Sequence, residues 1–191
     1  MSNYLAIATV TATLEAVVRD AMQTVRPSAE VTSARPESDP AFVGAQLFLY
    51  RVVPNVSVRN DNLPTRDAGG RLVQRARYPA DLEYLLSFYG GPDTEYGAQL
   101  LMGRVITALI SEPVLSAERI RAAIKGKEPT LDGSDLDRTP DRIRLSPITL
   151  DPEQLVRLWS AIYQVPYVLS VPYAATAVWL DSEATPPIAI P

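Results

Sequence analysis

Asp81 and Glu83 stand two residues apart in a run of strand-like alternation, so both carboxylates fall on one face of a strand. Two facing carboxylates are the minimum for acid–base hydrolysis, and a hydrolase built on this pair is one reading. Two acids on a solvated or interfacial strand face are the ordinary outcome of the same spacing. Asp132, Asp135, Asp137 and Asp141 make a second acidic set. Clustered carboxylates in a loop can hold calcium, but Gly133 falls too early for the D-x-[DN]-x-[DN]-G pattern. A solvated acidic loop accounts for them. Gly90 and Gly91 lie between a strand pattern and a helix pattern, where phosphate-binding turns occur. Neither G-x-G-x-x-G nor G-x-x-x-x-G-K-[ST] occurs in the chain, and a plain turn explains the pair.

Composition removes most other chemistry. The chain has no histidine and no cysteine. That excludes a Ser–His–Asp site, thiolate catalysis, disulfides, and zinc or haem held by those residues. No cofactor and no metal are expected. All but two of the 18 cations are arginine, the exceptions being Lys125 and Lys127. Arginine makes planar, bidentate contacts and is favoured at protein interfaces. A pI near 4.9 argues against nucleic acid as a partner. The longest apolar run, Pro166 to Leu180, is too short to span a membrane and is interrupted by Pro172. No signal peptide is apparent, because the first cation, Arg19, follows the apolar segment instead of preceding it. Synthesis and assembly in the cytoplasm are expected.

The elements that would position these residues follow from periodicity. Three- and four-residue spacing of Ile7, Val10, Leu14, Val17, Val18, Ala21 and Val25 predicts a helix over 4–25. A short strand over 30–34 precedes a strand over 43–53, with Phe48, Tyr50 and Val52 on one face and Leu47, Leu49 and Val53 on the other. Strict alternation predicts a strand over 78–89. Asp93 or Thr94 would cap a helix reaching Ser111, with Tyr96, Leu100, Val105 and Leu109 inward. Ser116 would cap a short helix ending at Gly126. A strand over 142–150 leads to Asp151, Pro152 and Gln154, which have the spacing of a capping box with proline at N1. A last strand spans 167–181, where Pro172 favours a sheet edge or a bulge. The order predicts an α+β fold: a mixed, mainly antiparallel sheet packed with helices, and a long arm between two central strands. Residues 1–184 would form one domain with its arm at 54–77, and 185–191 an extended tail.

The arm is the odd feature. A hairpin connection usually needs about two to five residues, and this one has about two dozen. Six arginines over 51–77 face only Asp61 and Asp67, a local charge of +4 in a chain of net −4. Pro54, Leu63 and Pro64 stiffen it, and Asn55, Asn60 and Asn62 are turn formers. Residues 127–141 carry −3. The two segments could pair within one chain, or join neighbours head to tail in a ring. A stand-alone module that binds a protein through the 54–77 arm is the other reading.

The segments MSNYLAIATVTATL, LFLYRVVPN, RNDNLPTRDAGGRLV and DLEYLLSFYG carry a resemblance, as do LSPITLDPEQLVRLWSAI and PYVLSVPYAATAVWL. Together they span nearly the whole chain. They resemble the tail-terminator, or cap, proteins of contractile injection systems of the antifeeding-prophage type, which are similar to phage tail terminators. The resemblance implies a structural protein and no enzyme. It implies a homohexameric ring on the baseplate-distal end of the inner tube, which ends tube growth and anchors the last sheath ring. The implied partners are further copies of the chain, the inner tube protein and the sheath protein. The particle resembles a phage tail and can be released. Relatives often carry an additional C-terminal region. The most recognisable positions are Pro54, Asn55, Arg59, Asn60, Leu63, Pro64, Arg66 and Gly70. These, with Arg75 and with Asp132, Asp135 and Asp137 of the acidic loop, are the candidate assembly contacts.

Overall fold

The apolar stripe at the start of the chain forms helix α1 (Ala6–Gln23) and buries Val10, Leu14, Val17, Val18, Ala21 and Met22. Full burial of one such side chain contributes roughly 1.5–3 kcal/mol, so this face anchors the core. No side chain caps α1 directly. Asn3 just outside it accepts from Leu5 N at 3.0 Å. The fold is seen in a computed structural model that describes residues 3–37, 42–58, 65–92, 94–139, 142–162 and 165–184.

Five strands follow the expected segments: β1 (Glu30–Thr32), β2 (Val43–Pro54), β3 (Arg77–Gly90), β4 (Arg144–Pro147) and β5 (Ser170–Asp181). Their order in the sheet is β1-β2-β3-β5-β4. Only β1–β2 is parallel; β2–β3, β3–β5 and β4–β5 are antiparallel. The mixed, mainly antiparallel α+β architecture is therefore as the sequence predicts. Pro172 sits where β5 runs past the end of β4. Its carbonyl accepts from Ile148 N on the β4 side at 3.0 Å, so the amide hydrogen it lacks would point to that unpaired side.

Two helices join α1 over one face of the sheet. They are α2 (Gly97–Ser111) and α3 (Ala117–Gly126), the latter capped by Ser116, which accepts from Arg119 N. Their Leu101, Val105, Leu109 and Ile120 pack with Leu82, Tyr84, Leu86 and Phe88 of β3. Helix α4 (Pro152–Ala161) carries the predicted capping box, with Gln154 N donating to Asp151 Oδ1 at 2.8 Å. It packs on the opposite face, where Trp159 and Ile162 bury Leu85 with Phe48 and Tyr50 at their side. Helices thus lie on both faces of the sheet.

Two expectations about side-chain direction fail for local reasons. The β2–β3 register steps between Leu49 and Arg51, leaving Tyr50 as an extra residue. That bulge reverses the alternation, so Val52 pairs with Leu82 and Val53 with Asp81, opposite to the unbroken pattern. Helix α2 begins at Gly97, later than a cap at Thr94 would set it; Asp93 lies outside the described residues. Tyr96 and Leu100 are exposed, and Gly97, Leu101, Val105 and Leu109 take the inward line. The cause is backbone contact: a Cβ on Gly90 would lie 2.6 Å from Ala98 N, and one on Gly97 would lie 2.9 Å from Gly90 Cα. The two glycines bring the first turn of α2 directly onto the end of β3.

Candidate functional site

The arm leaves the sheet at a built junction. Pro54 ends β2 exposed, and Asn55 behind it is buried. Asn55 N donates to Pro79 O at 2.8 Å, and its Nδ2 donates to Asp81 Oδ1 at 2.8 Å. Its Oδ1 accepts from Ser57 N at 3.0 Å and Val58 N at 3.2 Å, a turn that directs the chain off the strand. Asp81 Oδ1 also accepts from Ala177 N at 3.0 Å. Ala177 sits at a bulge of β5 with φ of 62°, a left-handed conformation that a non-glycine residue adopts at a cost. One carboxylate therefore fixes both the root of the arm and the bulge of the neighbouring strand.

The described outer part of the arm is a miniature hairpin. Arg66 bridges Leu72, Val73 N donates to Thr65 O at 2.8 Å, and Asp67 Oδ1 accepts from Gly69 N and Arg71 N, each at 2.9 Å. Gly70 turns the chain at φ 78°, and its carbonyl accepts from Arg66 Nη1 at 2.8 Å. Arg66, Gly70 and Arg71 are exposed; Arg75 is half-buried. Arg59, Asn60, Leu63 and Pro64 lie outside the described residues. Among the described residues, Arg77 and Arg51 turn back onto the sheet. Arg77 pairs with Asp181 at 3.1 Å and lies 4.1 Å over the Trp179 ring, and Arg51 reaches Glu83 at 3.7 Å. The charge offered outward is thus smaller than the count along the sequence, because acids distant in sequence offset its two ends.

The acidic loop has a structural task that sequence spacing did not reveal. Leu131 and Leu136 are buried and hold it against α1 and α3. Asp135 Oδ1 accepts from Asn3 N at 2.9 Å, Gly133 O from Asn3 Nδ2 at 2.7 Å, and Ser134 Oγ meets Thr9 Oγ1 at 2.7 Å. Asp137 pairs with Arg121 at 3.2 Å. Asp132 is exposed on the outer turn. Of the three candidate aspartates, two are engaged within the chain and one is directed to solvent.

Asp81 and Glu83 have separate partners: Asp81 accepts from a side-chain amide and a backbone N–H, and Glu83 faces Arg51. Beside Glu83, Tyr50 is pushed above the ordinary phenol range, first by burial and then by the Glu83 charge. Burial also raises Tyr84, whose hydroxyl lies 2.8 Å from Thr11 Oγ1, and Tyr173. Among the described residues, no group of three or more acids, histidines or cysteines could hold a metal ion, and no helix is long and apolar enough to cross a membrane.

The profile of the Pvc16 N-terminal domain family matches residues 9–191. The chain belongs to this family. Two solved structures have a similar fold. The PVC sheath/tube terminator of an extracellular contractile injection system, in its extended state, superposes with a TM-score of 0.59 at 20% identity, covering 97% of this chain and 61% of that one. The tube-terminating cap of the anti-feeding prophage superposes with a TM-score of 0.55 at 18% identity, covering 92% of this chain and 58% of that one. At these identities the likeness is one of fold. The chain spans about three fifths of each of these proteins. A comparison with curated proteins gives no match.

Proposed function

We propose that this protein caps the inner tube of a contractile injection system. Copies form a ring on the baseplate-distal end of the tube, end its growth, and give the last sheath ring its anchor. Six-fold symmetry is what the resemblance to phage tail terminators implies. The observation that carries the reading is the family match over residues 9–191, joined by a fold shared with two tube terminators. The chemistry is consistent with it. Capping a polymer needs one surface that fits the tube and another that offers no further tube site, and neither needs a nucleophile, a metal or a cofactor.

The ring contact runs head to tail, from the arginine-bearing hairpin at 65–73 of one copy to the acidic loop of the next. Arg66 and Arg71 are exposed on the first, and Asp132 is exposed on the second. Such complementarity sets register and association rate more than affinity. Immunogold labelling of purified particles, combined with mass spectrometry, tests the placement. Label confined to the end opposite the baseplate is expected. Absence of the protein from particles, or label along their whole length, would contradict it.

A further inference from the structure

The arm joins β2 to β3, yet both of its roots are tied to a third strand, β5. At the first root, Asp81 Oδ1 accepts from Asn55 Nδ2 at 2.8 Å and from Ala177 N at 3.0 Å. Asp81 lies where the β3–β5 register steps. Ala80 pairs with Val178 and Leu82 with Ala175, so Asp81 faces both Thr176 and Ala177. At the second root, Ser182 N donates to Ala76 O at 2.8 Å, one residue beyond the last pair of the ladder, Arg77 with Asp181. Arg77 Nε donates to Asp181 Oδ1 at 3.1 Å, and the Asp181 side chain is 6% exposed. The Arg77 guanidinium covers the Trp179 ring of the same strand.

Ala177 gives these ties a direction. Its φ of 62° lies where a residue with a Cβ seldom goes. Such a conformation persists where the surroundings over-determine it. Here it aims the Ala177 N–H at Asp81. That bond holds the carboxylate in the orientation that receives Asn55, and Asn55 sets the first turn of the arm through Ser57 N and Val58 N. Control therefore runs from β5 through Asp81 to the arm. We propose that β5 sets the direction in which the arm leaves the sheet, with Asp81 and Asp181 as the positioning residues. The value of that direction for assembly rests on the ring contact proposed above; the positioning itself does not.

The chain contains no cysteine, so an introduced pair carries two spin labels at chosen places. Ala68→Cys lies on the exposed turn of the hairpin, and Val156→Cys is exposed on α4. Pulsed electron paramagnetic resonance then reads the distance from arm to body in the isolated full chain. One narrow distribution is expected. Asn55→Asp sets a second carboxylate against Asp81, and Ala177→Val puts a branched side chain at positive φ. Each should broaden the distribution about twofold at unchanged circular dichroism, as should Asp181→Ala. Ala177→Gly adopts the same φ freely and should keep the parent's width. Asp81→Asn added to Asn55→Asp returns a donor to the pair and an acceptor to Ala177 N, and should restore the narrow distribution. A broad distribution in the parent, parent-like width in any of the three single variants, or no recovery in the pair would overturn the proposal. Incorporation of the same substitutions, without labels, into purified particles separates it from the ring contact. If broadened variants still enter particles, the positioning stands and the arm is not the assembly contact.

Discussion

Asn55 is the residue on which the arm turns, and its four hydrogen bonds join β2, β3 and the arm. Asn55→Ala leaves Asp81 without one donor and two backbone amides without an acceptor, a loss of about 1–3 kcal/mol in chemical denaturation. Arg66→Glu, on the exposed hairpin, should stay within about 0.5 kcal/mol of the parent in the same experiment. A large loss for Arg66→Glu would mean that the hairpin is part of the core. Gly103→Ala should stabilise the free chain by about 0.5–1 kcal/mol, since its Cβ would meet open space. The tyrosines predict the response to alkali. Tyr84 and Tyr50 titrate above their ordinary range in the folded state, mainly through burial. The folded chain therefore holds those protons more tightly than the unfolded one, and stability is fully present below about pH 10 and falls as pH rises beyond it. Thermal melts from pH 7 to 11 check this, and Tyr84→Phe should flatten the decline.

At the scale of elements, legibility followed how local the cause was. The α4 capping box, the Ser116 cap and the α1 stripe were plain in the sequence because each depends on residues within one or two turns. On α2, Val105 and Leu109 were read inward as found, but Tyr96 and Leu100 were not, because the first turn is set by Gly90 touching Gly97 across a strand–helix corner. The faces of β2 beyond Leu49 were not, because a bulge reads as ordinary alternation until the register is known. The connection between β2 and β3 was conspicuous in the sequence, and its partners were not. Its length and charge stood out, but the pairing of Arg77 with Asp181 joins residues a hundred positions apart. The acidic loop likewise looked free, while Asp135 was already bound to Asn3. The arm proposal makes a prediction at this scale. Reversal of Arg59 and Arg66 together to glutamate should leave a chain that is folded by circular dichroism and missing from purified particles. Normal incorporation of the double variant would remove the arm from the account.

For the whole molecule, composition narrowed the function by removal, and family membership gave it direction. The chain has no histidine or cysteine, and its two strand carboxylates face partners within the fold. The mixed sheet lies between helical layers. The most direct test of the capping claim is electron microscopy of particles from a strain lacking this gene. Tubes or sheaths of uncontrolled length, or unstable particles, are predicted. Particles of normal length and normal sheath in that strain would contradict it.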